Sequence, residues 1–219
     1  MNEEDNQAMF FLTNALEFPS VESANEEGLL AIGGDLSPER LLLAYKNGIF
    51  PWFNEDRAIL WWSPDPRMVL FPSKLRISKS MKKVLNNNLF RLTKNTCFKE
   101  VIHNCGTIKR GDQDGTWITP EMKLAYIQLH EMGIAHSYEV WENDILVGGL
   151  YGLDLGHVFC GESMFSTTSN ASKFAFVKMV QELQQKNYML VDCQVHTMHL
   201  ESLGAEEISR DAFLKYLKA

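Results

Sequence analysis

The stretch AHSYEVWENDILVGGLYGLDLGHVFCGESMF, residues 135–165, decides the fold. It contains three strand-like runs, AHSYEVW, ILVGGLYGL and HVFCGESMF, rich in β-branched and aromatic side chains. The turns between them, END and DLG, are too short for a crossover, so the runs predict an antiparallel meander. NASKFAFVKMVQELQQKN then reads as an amphipathic helix, MLVDCQV as a strand and SRDAFLKYLKA as a last helix. Strands, helix and strand in that order predict an α+β sheet with helices packed on it.

Upstream, GDLSPERLLLAYKNG predicts a helix with Ser37 as N-cap, Pro38 in the first turn and Gly48 at its end. IFPWFNEDRAILWWSPDPR carries three tryptophans and three prolines, and reads as an aromatic-rich loop with one short strand. A domain boundary is expected near Pro64 to Pro66, dividing residues 1–65 from 66–219. ISKSMKKVLNN is a short helix whose Lys79, Lys82 and Lys83 share one face, with Met81, Val84 and Leu85 on the other. In GTWITPEMKLAYIQLHEMG, Thr119 caps a helix, Pro120 starts it, and Met122, Ala125, Tyr126 and Leu129 form its apolar stripe.

The 219 residues are 45% hydrophobic and 22% charged, enough for one large domain or two small ones. No apolar run is long enough to span a bilayer, and MNEEDNQAMFF lacks the basic start of a signal peptide. Cys97, Cys105, Cys160 and Cys193 form no CxxC pair and read as reduced thiols in cytosol. The net charge of −7 argues against a general nucleic-acid coat protein. Residues 66–99 nevertheless contain no acid and nine bases: Arg67, Lys74, Arg76, Lys79, Lys82, Lys83, Arg91, Lys94 and Lys99. The remainder carries 12 bases against all 28 acids, a balance of −16. The basic segment is expected to hold a local polyanion while the rest of the surface repels non-specific binding.

Glu162 stands alone among Phe159, Cys160, Gly161, Met164 and Phe165. A carboxylate there is costly to bury unless something pairs with it. In MLVDCQV, strand alternation puts Asp192 and Gln194 on one face, about 6.6 Å apart at the usual rise per residue. His196 and His199 lack a third ligand at a recognisable spacing, so no metal is expected. GESMF lacks the last glycine of a GxSxG elbow. Tryptophans at element edges, Trp52 and Trp117 among them, suit the stacking of unpaired bases.

GLLAIGGDLSPERLLLAYKNGIFPWF, ILWWSPDPR, ISKSMKK, GTWIT, HSYEVW, LVGGLYG, FCGESMFS, NASK and DCQV, in this order from about residue 28 to 217, resemble the leucyl/phenylalanyl-tRNA–protein transferases of bacteria. The resemblance implies a small N-terminal α/β domain and a C-terminal GNAT-like domain with a mixed, largely antiparallel sheet. It implies a cytoplasmic enzyme, expected as a monomer, that needs no cofactor and no membrane. Such an enzyme moves Leu or Phe, less often Met, from aminoacyl-tRNA to the N-terminal Arg or Lys of proteins, marking them for degradation. By the same resemblance Asp192 and Gln194 lie at the peptide-forming centre. Tyr45, Trp52 and Trp117 attend the tRNA 3′ adenosine and its surroundings, and Tyr126 is a further substrate-binding residue. Phe159, Gly161, Glu162, Phe176, Met179 and Leu183 border the pocket for the Leu or Phe side chain, and Lys79, Lys82 and Lys83 face the acceptor stem. Met179 and Leu183 stand where the best-known members carry phenylalanine. Two other readings stay open. One is a GNAT acetyltransferase, although RGDQDG lacks the spacing of a Q/R-x-x-G-x-G/A pyrophosphate loop. The other is a binding module without catalysis.

Overall fold

The computed structural model describes residues 9–54, 57–108 and 117–218. The RGDQDG stretch, the first eight residues and Ala219 lie outside the described residues. Among the described residues the strands form two sheets. The smaller sheet joins β1 (Phe10–Leu12), β2 (Leu29–Gly33), β3 (Phe50–Pro51) and β4 (Leu60–Trp62) in the order β1-β2-β4-β3. The region expected as a loop with one strand therefore supplies two. Trp61 makes the difference: it is fully buried and donates its ring N–H to the Gly33 carbonyl at 2.8 Å. Helix α1 (Pro38–Lys46) packs beside this sheet, with Ser37 accepting from the Arg40 N–H and Gly48 leaving at φ +74°.

The larger sheet joins β5 (Arg67–Leu70), β6 (Arg91–Lys94), β7 (Ala135–Glu142), β8 (Ile145–Asp154), β9 (Val158–Ser166), β10 (Leu190–Gln194) and β11 (Glu206–Ile208). Its order is β11-β5-β10-β9-β8-β7-β6. The expected meander is β7-β8-β9. Every neighbouring pair is antiparallel except β9 and β10, which are parallel because helix α5 (Ala171–Gln185) crosses between them. On one face of this sheet, α3 (Phe98–Thr107), α4 (Pro120–Glu131) and α7 (Arg210–Leu217) share a core with α1 and the smaller sheet. On the other face, α5 and α2 (Lys79–Asn86) pack over Met68, Leu70, Leu150, Phe159 and Val191. A short helix, α6 (Met198–Ser202), follows β10.

Among the described residues four register shifts interrupt the ladders, and two of them shape the site. Opposite β8, Ser163 pairs with Tyr151 and Gly161 with Gly152, so Glu162 is the extra residue. Opposite β5, Asp192 pairs with Val69 and Gln194 with Met68, so Cys193 is the extra residue, and Gln194 adopts φ +65°. The strict alternation expected for Asp192 and Gln194 thus fails at the bulge. Gly152 marks the tightest approach in the meander. A Cβ there would overlap the carbonyl oxygen of Cys160 and lie 2.6 Å from a ring carbon of Phe159. Neither can withdraw without breaking strand pairing, so Gly152→Ala is expected to cost about 1–3 kcal/mol, read by urea unfolding at unchanged m-value.

Candidate active site

β9 and β10 pair over three residues only, ending at Cys160 and Asp192. Beyond that point they part, and a cleft of about 920 Å³ opens in the gap. Both faces of the sheet line it: Tyr151 and Cys105 from one side, Leu150, Phe176 and Met179 from the other. Phe50, Pro51 and Trp52 stand along one wall and His196, Thr197, His199 and Leu200 along another. The gap itself carries the polar groups, Glu162 on β9 and Gln194 on β10.

Glu162 is partly buried, and its oxygens are engaged from two directions. Oε2 accepts from the Tyr126 hydroxyl at 3.0 Å, and Oε1 from the Gln194 side-chain N–H at 2.9 Å. Behind Tyr126, the hydroxyl of Tyr45 forms a short hydrogen bond with that of Tyr126. Both tyrosines are buried, one from α1 and one from α4, so the chain runs from the smaller sheet's domain to the split. Burial raises the Glu162 pKa. The hydrogen bonds of Tyr45, Tyr126 and Gln194 oppose that rise, the negative charge of Asp192 adds to it, and the outcome is a value pushed up to about 7.

Asp192 is buried and lies behind the cleft wall. Its carboxylate takes a two-pronged contact from Arg67, 2.8 Å from Nε and 2.7 Å from Nη2, and Oδ1 also accepts the Gln194 backbone N–H at 3.0 Å. The expected network between Asp192 and Gln194 therefore runs through the main chain. Sequence reasoning missed Arg67, placing it in a basic surface. A buried strand acid demands a cation, but nothing in the spacing of 67 and 192 says which one.

Gly161, Glu162, Gln194, Phe176, Met179, Trp52 and Trp117 line the cleft as expected positions go. Phe159 and Leu183 do not. Phe159 is buried on the α5 side with its ring against Tyr138, and Leu183 lies one turn past Met179, inside the core. Tyr45 and Tyr126 do not line the cleft and meet it through Glu162 and through the Tyr126 ring against Tyr151.

The acid-free segment 66–99 does not form one basic surface. Lys74 pairs with Glu206, Arg91 with Asp144, Lys94 with Glu182 and Lys99 with Glu131, while Arg67 is internal. Arg76, Lys79, Lys82 and Lys83 are exposed and enter no ion pair among the described residues. Three of them ride on α2, whose Met81, Val84 and Leu85 face the core and whose Ser78 caps the Met81 N–H at 3.1 Å. No group of three or more His, Cys, Asp or Glu suited to a metal occurs among the described residues. No helix there is long and apolar enough to cross a membrane.

Comparison with known proteins places the chain in a family. A family model for the leucyl/phenylalanyl-tRNA protein transferase matches residues 69–218, and one for the N-terminal domain of that family matches residues 34–65. A leucyl/phenylalanyl-tRNA–protein transferase of Flavobacterium johnsoniae is 63% identical over 96% of this chain and all of its own length. That of Christiangramia forsetii is 59% identical over 95% and 100%, and that of Syntrophobacter fumaroxidans 54% over 95% and 89%. Among solved structures, a GCN5-related N-acetyltransferase-like protein of Streptococcus suis is similar at a TM-score of 0.36 and 12% identity, over 74% of this chain and 60% of that one. The chain belongs to the leucyl/phenylalanyl-tRNA–protein transferase family.

Proposed function

We propose that this protein moves Leu or Phe, and less often Met, from aminoacyl-tRNA onto the N-terminal Arg or Lys of acceptor proteins, marking them for degradation. It does so as a cytoplasmic monomer without metal or cofactor. The observation that carries this reading is the cleft through the split sheet, whose apolar wall of Phe176, Met179, Leu150 and Met164 meets Glu162 and Gln194 at the split. The wall suits a bulky apolar side chain, and such a pocket discriminates weakly against one methylene more or less.

Aminoacyl-tRNA is an activated ester, so no covalent nucleophile is required. The acceptor amine attacks the ester carbonyl, the C–N bond forms, the C–O bond to the ribose breaks, and the released hydroxyl gains the proton that the amine loses. Holding amine and ester together supplies most of the acceleration. An α-amine with a pKa of about 7.7–8.0 is partly neutral near pH 7. The amide nitrogen of Gln194 already donates to Glu162, which leaves its carbonyl oxygen to accept an amine N–H and aim the lone pair. Asp192 orients Gln194 through its backbone. Glu162 faces the amino group of the bound Leu or Phe moiety, held from behind by Tyr126 and Tyr45. Trp52, 44% exposed, and Trp117 stack on the 3′ adenosine. Lys79, Lys82 and Lys83 meet the acceptor-stem phosphates, and Phe159 and Leu183 back the apolar wall.

Incubation with labelled Leu-tRNA, Phe-tRNA or acetyl-CoA and a peptide beginning with Arg tests the reading. Label is expected from the two tRNAs only, and transfer from acetyl-CoA alone would overturn it. Gln194→Ala is expected to lower kcat about tenfold or more with little change in KM for aminoacyl-tRNA. Replacing Lys79, Lys82 and Lys83 together by Ala should raise that KM. It should also flatten the dependence of log K on log salt by about 2–3, whichever amino acid is carried.

Glu162 makes both activity and stability depend on pH. Its ionised form is the one that holds an ammonium, so transfer is expected to rise through pH 7 more steeply than deprotonation of the acceptor amine alone requires, and Glu162→Gln should keep only the amine's own rise. For stability the sign is opposite. A folded-state pKa of about 7 above the ordinary 4.5 gives a contribution complete below pH 4.5 and lost as pH climbs through 7. Between those limits the unfolding free energy of Glu162→Gln should therefore gain on the native chain by on the order of 3 kcal/mol, measured by urea titration at each pH.

A further inference from the structure

Arg67 begins β5, between the edge strand β11 and β10 of the larger sheet, and is 1% exposed. Beyond its fork on Asp192, its Nη1 donates to the Gly48 carbonyl at 3.2 Å. The guanidinium carbon lies over the rings of Phe50 and Phe213, 4.7 Å from each centroid. Four segments thus meet at one side chain: the end of α1, β3, β10 and the C-terminal helix α7. What Arg67 holds is the part of β10 that turns out of the ladder. Asp192 receives the fork and in turn accepts the N–H of Gln194, whose φ of +65° is one a non-glycine residue keeps only when its surroundings over-determine it. That backbone turn sends the Gln194 side chain to Glu162.

We propose that Arg67 is a positioning residue for transfer: it fixes the Asp192 carboxylate, which fixes the turn at Gln194, which aims the Gln194 amide across the split. Phe213 and Phe50 pack against the guanidinium, so the seating of the C-terminal helix reaches the centre through the same arginine. The inference rests on Gln194 being the group that aims the acceptor amine. Lysine at position 67 keeps the charge and loses the planar fork.

The test is a double-mutant cycle read in kcat and KM, with thermal unfolding followed alongside. Arg67→Lys is expected to lower kcat about tenfold or more while KM for aminoacyl-tRNA stays within about twofold. In a Gln194→Ala background the same substitution should cost less than about twofold further, because its target is already gone. Losses that multiply in full, or a normal kcat for Arg67→Lys, would overturn the inference. Gln194→Ala with full activity would overturn both this inference and the role given to Gln194. A deficient Gln194→Ala beside a fully active Arg67→Lys would overturn this inference alone. Should Arg67→Lys fail to fold, Phe213→Leu removes one ring from the guanidinium and gives the same reading. A kcat about threefold lower is expected, with no further loss in the Gln194→Ala background, and an unchanged kcat overturns the inference.

Discussion

β9 and β10 pair from Val158 with Leu190 to Cys160 with Asp192, and then they separate. Parallel neighbours joined by a helix are under no obligation to run together to their ends, unlike the hairpin-joined strands of the meander. The separation breaks a sheet that is otherwise continuous, and broken pairing has to be made good, since unpaired backbone groups away from water are expensive. Both bulges sit at this place. In β9 the extra residue is Glu162, freed from the alternation that would have fixed its side chain to one face. In β10 the bulge turns Gln194 out of the ladder, and its N–H finds Asp192 in place of a strand partner. The cleft, the carboxylate and the amide are one consequence of a single parting.

Opening a sheet this way would leave Glu162 free to swing if nothing held it. Tyr45, Tyr126 and Gln194 hold it, and all three interactions favour the charged form. Removal from water still prevails, and the acid rests near pH 7. Such a group can be neutral when the cleft is empty and ionised when a cation enters, at little cost in either direction. That fits a site whose occupant brings its own positive charge. Asp192, although close by, cannot play that part. Its charge is spent on Arg67, and pulling it away would leave two buried ions unpaired, which is far more costly than never having built the pair.

How much of this could be read from the sequence follows from which features are periodic. The meander, α5 and the capped helices α1, α2 and α4 all announce themselves by alternation, by the 3.6-residue repeat, or by a Ser or Thr ahead of an apolar run. The family resemblance rested on motif order, and seven of the residues it named line the cleft: Trp52, Trp117, Gly161, Glu162, Phe176, Met179 and Gln194. The bulges were invisible, because a period-2 pattern has no symbol for an extra residue, and so Asp192 and Gln194 were placed side by side on one face. Arg67 was misread for a related reason: charge counted along the chain cannot separate a cation facing water from one facing the core. Trp61 was misread likewise, as a loop aromatic, when its ring N–H on Gly33 makes it a pillar of the smaller sheet. Phe159 and Leu183 lie on the correct elements one layer too deep, a distinction that burial alone reveals.

The same partition of charge bears on substrate entry. Of the bases in the acid-free segment, those on strands and on α3 are neutralised by acids from elsewhere in the chain, and the unpaired ones gather in residues 76–83. The remaining surface is strongly negative, so a polyanion is repelled from most directions and attracted from one. Within the electrostatic range of physiological salt, roughly 8 Å, only the neighbourhood of α2 matters to a phosphate. Because α2 packs on α5, whose Phe176 and Met179 line the cleft, the proposed attraction at the helix would bring an approaching end toward the apolar wall. Under the proposed function, electrostatics sets where the nucleic acid lands, and the split sheet sets what its 3′ end can carry. Neither alone would select a charged tRNA: the lysines are blind to the amino acid, and the cleft on an acidic protein would repel the molecule that bears it.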